Sequence, residues 1–261
     1  MNSKKIPWFN VSNILLLGII VSFLVFLFQQ KGRVGGIFKT VIASGPVIAL
    51  DVRVANFLSA LRSPGFNKFF FWVTLLGEWK LIALFALTLI IILWRRRQRI
   101  FILPLLVTLF GSEFFVGLGK IVFRRPRPVV AAFVENSFSF PSGHAAIALA
   151  FYGFLSFFII SQAKRRKTKI GVAFAGLALI LFIGFSRLYF GVHYLSDVWS
   201  GYLIGALWLV IGISLISWLG LRRKGSRFPS PWNRRKTGAK QNAKYARNLP
   251  KNSKSQIPNH K

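Results

Sequence analysis

Residues 138–161 read FSFPSGHAAIALAFYGFLSFFIIS, a polar turn that runs without a break into an apolar segment. From Ala145 onward the segment approaches the length of about 20 mostly apolar residues that a helix needs to cross a bilayer. His144 stands at the mouth of this helix, where an apolar residue would pack better. The stretch therefore indicates a membrane helix that begins at an anion site with a proton-transfer group.

The composition extends the membrane interpretation to the whole chain. Of its 261 residues 54% are hydrophobic, and they include 28 Phe and 8 Trp, which is too apolar for one soluble domain of this size. Apolar runs repeat between short basic segments, which predicts an all-α, polytopic membrane protein. The chain has no Cys, only 3 His and 5 acidic residues. Thiolate chemistry is excluded, and neither a metal nor another cofactor is expected.

Six transmembrane helices are predicted within a single membrane domain, residues 1–221. An amphipathic helix is predicted at the membrane interface between the first two, because apolar residues from Val47 to Leu61 recur at helical spacing beside Asp51, Arg53 and Arg62. The first apolar run is not followed by a cleavage site and is expected to stay in place. The predicted spans are Ile14–Phe28, Phe69–Trp94, Phe101–Phe123, His144–Ser161, Ile170–Phe185 and Leu195–Leu219.

The formal net charge of +31 is interpreted through topology. Basic loops at 95–99 and 164–169, the N-terminus and the tail fall on one side when six helices alternate, and the positive-inside rule makes that side cytoplasmic. The segments 124–144 and 186–197 then face outward together. Residues 222–261 are basic and contain no acid, so we expect a disordered cytoplasmic tail on anionic inner-leaflet lipids. Nucleic acid is not expected, and no obligate protein partner is evident.

Three cations are predicted to meet on the outer face. Lys120, Arg127 and Arg187 would form a pocket for a multivalent anion, with the two guanidiniums able to contact phosphate oxygens in pairs. Ser142 and Gly143 begin a helix, where backbone N–H groups and the helix dipole also favour phosphate. These residues predict a phosphate-binding site.

Two histidines supply candidate chemistry beside this site. His193 and Asp197 are four residues apart and share a helix face, so the carboxylate can accept a proton from one imidazole nitrogen and leave the other as a nucleophile. His144 is then free to give a proton to a leaving alkoxide and to take one from water. Phosphoryl transfer needs little more than these groups and charge neutralisation.

Other polar residues are expected to have supporting roles or to lie near the site. Glu113 shares a helix face with Lys120 and is expected to support it, and Ser186 is expected to cap or support Arg187. Arg124 and Arg125 are interpreted as simple headgroup binders. Glu78 and Glu135 are possible outer-face residues, and His260 is given no role.

The ordered clusters resemble a known signature. The first cluster is Lys120, six residues and Arg127-Pro128; the second is Pro141-Ser142-Gly143-His144; the third is Ser186-Arg187, five residues, His193, three residues and Asp197. Together they resemble the three-part signature of the type 2 phosphatidic acid phosphatase (PAP2) family, whose relatives include vanadium-dependent haloperoxidases. The resemblance, which covers 120–197 most closely, implies that His193 forms a phosphohistidine. It also implies that His144 protonates the leaving group, that Asp197 orients His193 and that no metal takes part. The phosphate-binding residues that it implies are Lys120, Arg127, Ser142, Gly143 and Arg187.

The expected activity is hydrolysis of a phosphomonoester or pyrophosphate on a membrane lipid. Candidate substrates are phosphatidic acid, phosphatidylglycerol phosphate, diacylglycerol pyrophosphate and undecaprenyl pyrophosphate. A lipid phosphotransferase would use the same intermediate and discharge it to an alcohol. A non-enzymatic anion or lipid transporter is the alternative from another class, although it would gain nothing evident from the histidine and aspartate pairing.

Overall fold

Helices are the one kind of regular secondary structure in the described part of the chain. The computed structural model describes residues 45–223; the predicted first span at Ile14–Phe28 and the tail from residue 224 onward lie outside that range. Within it there is no strand, so the all-α prediction is confirmed there. The helices are α1 Gly45–Ala60, α2 Pro64–Leu75, α3 Trp79–Arg95, α4 Ile102–Phe123, α5 Gly143–Gln162, α6 Arg166–Tyr189 and α7 Leu195–Arg223, with a 3-10 turn at Arg99–Phe101.

Four helical segments are long and apolar enough to cross a membrane. They coincide with the predicted third to sixth spans and confirm those predictions. Residues 45–223 hold up to five spans if a bent pair, α2 with α3, counts as one, whereas the total of six stays a prediction. The four segments are Arg99–Phe123, Gly143–Gln162, Arg166–Tyr189 and Leu195–Gly220.

The predicted second span is wrong as a single helix. Helices α2 and α3 meet at a 46° bend across residues 76–78. A Cβ at Gly77 would lie 2.5 Å from Ile183 Cγ2 and 3.2 Å from the His144 ring, so glycine allows the bend to press against α5 and α6. The Tyr152 hydroxyl donates a 2.8 Å hydrogen bond to the Leu76 carbonyl, which the break leaves without a helical partner.

Helix α1 covers the predicted interfacial helix, but its buried face overlaps the predicted apolar face at Leu58 and is otherwise turned away from it. The buried residues are Asp51, Ala55 and Leu58, while Leu50 and Phe57 of the predicted apolar face are exposed. Asp51, expected to lie beside the apolar face, is only 1% exposed. Its burial follows from ion pairing described below, and a location of α1 at the membrane interface stays a prediction.

Helix α5 lies at the centre of the fold. It packs between α4 and α6 and also contacts α3. Its buried residues combine small and aromatic side chains, among them Ala145, Ala148, Ala150, Phe151 and Phe154. All site residues described below belong to a compact unit that ends at Ser217; the described residues beyond it continue α7 and belong to a second unit.

Two glycines one turn apart let α7 approach the start of α5. A Cβ at Gly201 would lie 2.4 Å from the Ser142 carbonyl oxygen, and one at Gly205 would lie 2.4 Å from that of Ala146. Small residues at this spacing allow membrane helices to make backbone contact. The close approach also brings the Ser142 N–H within 3.0 Å of the Asp197 carbonyl, so it joins the two halves of the predicted site.

Replacing Gly205 with leucine is expected to destabilise this helix contact. Overpacking typically costs about 1–3 kcal/mol, and here the clash is with backbone, which cannot rotate away. Thermal unfolding of the purified protein in detergent should therefore shift to lower temperature. Gly171→Leu is the matched control, because no atom lies within 4 Å of a Cβ at that position. Equal melting temperatures for the two variants would contradict the proposed packing role.

Candidate active site

The turn between α6 and α7 positions two of the predicted catalytic residues. His193 is 2% exposed, and Asp197 is fully buried in the first turn of α7. Nδ1 of His193 lies 3.5 Å from Asp197 Oδ2, which is longer than a normal hydrogen bond, and Nε2 lies 3.3 Å from Arg127 Nη1. The imidazole thus has the predicted carboxylate on one side and a predicted phosphate-binding arginine on the other.

The surroundings keep His193 neutral. Burial lowers the pKa of His193 to about 4; Asp197 opposes this change and the positive charge of Arg187 adds to it. At neutral pH the ring therefore carries one proton and one lone pair. A neutral imidazole is the form that can act as a nucleophile.

The neutral state of His193 predicts a pH effect on stability. The pKa of histidine is near 6.5 in the unfolded state and about 4 at His193 in the folded state. Below pH 6.5 the unfolded state therefore binds more protons, and the free energy of unfolding decreases as the pH is lowered. Between pH 7 and 4 this contribution amounts to about 3 kcal/mol. When the pH is lowered from 7 to 4, the free energy of unfolding of the wild type should decrease by that much more than that of His193→Gln, as measured by thermal unfolding. Parallel pH curves for the two proteins would contradict a neutral buried imidazole.

Three hydrogen-bond donors hold the Asp197 carboxylate. Its Oδ1 accepts a 2.7 Å bond from Arg125 Nη1. Its Oδ2 accepts a 2.8 Å bond from the Tyr194 N–H and another from the Ser139 hydroxyl. The carboxylate is therefore fixed in orientation before any substrate arrives. Ser139 is a site contact that the predicted set lacks, although it belongs to the stretch FSFPSGH.

Arg125 connects this carboxylate to helix α1. Its Nη2 lies 2.7 Å from Asp51 Oδ2, and its guanidinium lies 4.2 Å from the centre of the Tyr194 ring. Asp51 also accepts bonds of 3.0 and 2.6 Å from the N–H and hydroxyl of Ser196. The interpretation of Arg125 as a headgroup binder is therefore wrong, because both of its Nη atoms pair with buried carboxylates. The sequence pattern does not place Asp51 at the site, although an acid on a largely apolar helix is a signal of a buried ion pair.

The three predicted phosphate-binding cations are brought together. Lys120 Nζ donates to the Phe138 carbonyl at 2.6 Å and to Ser137 Oγ at 3.2 Å, and Arg127 Nη2 donates to the same Oγ at 2.9 Å. Arg187 is 2% exposed, and its Nη1 donates to Thr74 Oγ1 at 2.9 Å. Its Nε is buried without a partner among the described residues, which leaves a donor for an oxyanion. No sequence pattern marks Thr74 as a contact of this site.

The start of α5 supplies a further donor. Ser142 is the N-cap residue and is fully buried, yet its hydroxyl makes no capping hydrogen bond and has no partner within residues 45–223. Gly143 is the first residue of the helix. An unpaired hydroxyl beside a helix N-terminus is suited to a phosphate oxygen.

His144 follows in the first turn of α5 and lies beside a second carboxylate. Its Nε2 is 3.5 Å from Oε2 of Glu78, which precedes α3 at the bend. The bend between α2 and α3 therefore places Glu78 beside the predicted acid-base histidine. The two histidines of the site each have a carboxylate neighbour.

Three further predicted residues form no side-chain hydrogen bond or ion pair with this cluster in the described range. Ser186 Oγ donates to the Ile183 carbonyl at 2.6 Å, within its own helix, and not to Arg187. Glu113 has a buried Oε1 without a partner and forms no ion pair in the described range, so its supporting role stays a prediction. Arg124 ends α4 in a left-handed conformation with φ of 45°, and its Nε donates to Ile121.

Comparison with known proteins places the chain in a family. A family model described as the PAP2 superfamily matches residues 101–220, which include every predicted site residue. Phosphatidylglycerophosphatase B of Bacillus subtilis is 31% identical over 182 residues, which cover 66% of this chain and 85% of that protein. The chain belongs to the PAP2 superfamily.

Particular relatives narrow the kind of protein further. The crystal structure of a transmembrane PAP2-type phosphatidylglycerolphosphate phosphatase from Bacillus subtilis matches with a TM-score of 0.62 and 27% identity, covering 80% of this chain and 98% of that one. The structure of Aquifex aeolicus LpxE matches with a TM-score of 0.51 and 26% identity, covering 63% and 94%. A probable lipid phosphate phosphatase beta of Arabidopsis thaliana is 27% identical over 191 residues, which cover 64% of this chain and 88% of that protein. The named relatives include lipid phosphatases, and one of the solved structures is of a transmembrane protein. The chain itself is a multi-pass membrane protein.

Proposed function

We propose that this protein is a membrane lipid-phosphate phosphatase that hydrolyses a phosphomonoester or pyrophosphate of a lipid. The observation that carries the proposal is the buried, neutral His193 with Nδ1 toward Asp197 and Nε2 3.3 Å from Arg127. A nucleophilic nitrogen beside an oxyanion donor is what phosphoryl transfer to a side chain requires. The named lipid phosphatases among the relatives support the same substrate class.

The first half of the proposed reaction forms a phosphohistidine. Nε2 of His193 attacks the phosphorus while the P–O bond to the lipid alkoxide breaks. His144 donates a proton to the departing oxygen, and Asp197 stabilises the positive charge that develops on the attacking imidazole. Lys120, Arg127 and Arg187 neutralise the charge on the equatorial oxygens, and the unpaired hydroxyl of Ser142 donates a hydrogen bond to one of them.

The second half releases inorganic phosphate. His144, now neutral, takes a proton from water, and the resulting hydroxide attacks the phosphorus. The P–N bond breaks and its electron pair returns to Nε2 of His193. Both histidines are then in their starting states, and the net reaction consumes one water.

The position of the site favours an amphiphilic substrate. Lys120 lies in the last turn of α4, and Phe114 and Ile121 on the same helix are 66% and 64% exposed, which suits contact with acyl chains. A lipid can keep its chains against this surface while its phosphate enters the cation cluster. Phosphatidylglycerol phosphate is the first candidate, since the relative that is 31% identical is named for it.

The proposed topology has the site facing outward and the basic tail on the inner leaflet. The distribution of Lys and Arg between loops supports this orientation. A protease added to intact cells should leave the tail uncut. Cleavage of the tail under those conditions would contradict the proposed orientation.

A substrate panel tests the activity. The purified protein in detergent, with a chelator present, is expected to release inorganic phosphate from at least one of the four candidate lipids. Transfer of the phosphoryl group to an added alcohol in place of water would identify a phosphotransferase. Lipid movement across vesicles without any phosphate release would favour the transporter, and a monodisperse protein that releases no phosphate from any candidate would contradict the proposal.

A further inference from the structure

The cradle formed by Arg127 and Arg187 holds an acidic side chain of the protein itself. Oε2 of Glu135 lies 2.6 Å from Arg127 Nη2, and its Oε1 contacts Arg187 Nη2. One arginine follows α4 and the other ends α6, so the carboxylate bridges two distant segments. They are the two guanidiniums proposed to bind the phosphate.

Glu135 binds these arginines as a phosphate group would. A carboxylate presents two oxygens to guanidinium groups in the geometry that a phosphate also offers. Burial acts to raise the pKa of Glu135, but Arg187 and Arg127 outweigh it, and the pKa is lowered on balance. The side chain is therefore ionised at neutral pH and competes for the same positive charge as a substrate.

Glu135 lies in a segment that is open to solvent. Residues 129–138 contain no helix or strand, and Val129 and Val134 are 101% and 91% exposed. The segment lines a cavity of about 430 Å³ together with Arg125 and Arg127. The Glu135 side chain is itself 25% exposed, so it can move toward solvent without opening the helical core.

We propose that Glu135 is an internal competitor for the arginine cradle and that it selects phosphate monoesters over the phosphodiesters of ordinary membrane lipids. The inference deepens the proposed function and rests on it. A phosphodiester carries one negative charge, as the carboxylate does, so displacing Glu135 gains no Coulombic energy. A phosphomonoester carries about −1.5 to −2 at pH 7 and three strong acceptor oxygens, and it can displace the carboxylate.

Oxyanion binding to Glu135→Gln tests the competition without requiring turnover. Tungstate binding, measured by titration calorimetry in detergent, is expected to become on the order of tenfold tighter than in the wild type. Glu135→Asp keeps the charge but is one methylene shorter, and its affinity should fall between the two. Asn136→Ala is the matched loop control, since Asn136 is exposed and makes no hydrogen bond among the described residues.

A second measurement tests selectivity. Phosphatidylglycerol, a phosphodiester, added to mixed micelles should inhibit phosphate release by Glu135→Gln more strongly than release by the wild type or Asn136→Ala. Unchanged or weaker tungstate binding in Glu135→Gln would overturn the competition and assign Glu135 to ordering the arginines. Tighter tungstate binding with equal inhibition would overturn the selectivity. If the wild type hydrolyses no lipid but Glu135→Gln binds tungstate more tightly, the proposed phosphatase activity would be refuted and the competition by Glu135 would stand.

Discussion

Replacing His193 with alanine is expected to abolish phosphate release, with a loss on the order of 10⁴-fold or more. The variant lacks the nitrogen that would attack phosphorus, and no described side chain can take its place between Arg127 and Asp197. Wild-type protein mixed with ³²P-labelled lipid phosphate and quenched in alkali should retain label, because phosphohistidine survives base. The variant should retain none.

The third histidine gives the control for that experiment. His260→Ala removes an imidazole outside the predicted site and should leave both phosphate release and labelling at the wild-type level. If His193→Ala still released phosphate, the assignment of His193 as the nucleophile would be contradicted. Labelling of His193→Ala at another residue would assign the covalent step to that residue.

Replacing His144 with alanine is expected to separate the two half-reactions. With a lipid alkoxide as leaving group, phosphate release should fall by about 10²–10⁴-fold, the usual contribution of a positioned acid-base group. With an aryl phosphate, whose leaving group needs no proton, the first step should persist. The phosphohistidine should then accumulate, since no base is left to activate water.

A single-turnover measurement shows this difference. His144→Ala mixed with p-nitrophenyl phosphate should release close to one equivalent of nitrophenolate per protein and then stop, while the wild type continues. Equal losses on lipid and aryl substrates would mean that His144 acts in binding and not in proton transfer. Glu78→Gln then tests the carboxylate 3.5 Å from the His144 ring, and a smaller defect of the same kind is expected.

Local patterns in the sequence predict much of this molecule. Four of the spans are continuous apolar runs bounded by basic residues, and bilayer thickness alone fixes their approximate length. The clustering of His193, Asp197 and Arg127 also follows from local spacing together with helix alternation. Charged and titratable residues are so few in this chain that each one carries information.

Long-range pairing is what local patterns do not reveal. The periodicity around Asp51 suggests a polar edge, but its partners Arg125 and Ser196 are 74 and 145 residues away, and they turn that edge inward. Nothing near Gly77 signals that a glycine is needed there to fit beside His144 and Ile183. Glu135 likewise looks like an ordinary loop acid until Arg187, 52 residues on, meets it.

The chain of ion pairs from Asp51 through Arg125 to Asp197 has a consequence for the smallest active fragment. A polypeptide cut at residue 101, where the family match begins, would keep the whole signature. It would lose Asp51, Thr74 and Glu78, the partners of Arg125, Arg187 and His144. Arg125, which also pairs with the carboxylate beside His193, would then be left with one counterion fewer. We therefore expect the smallest active fragment to begin upstream of the signature, at or before α1.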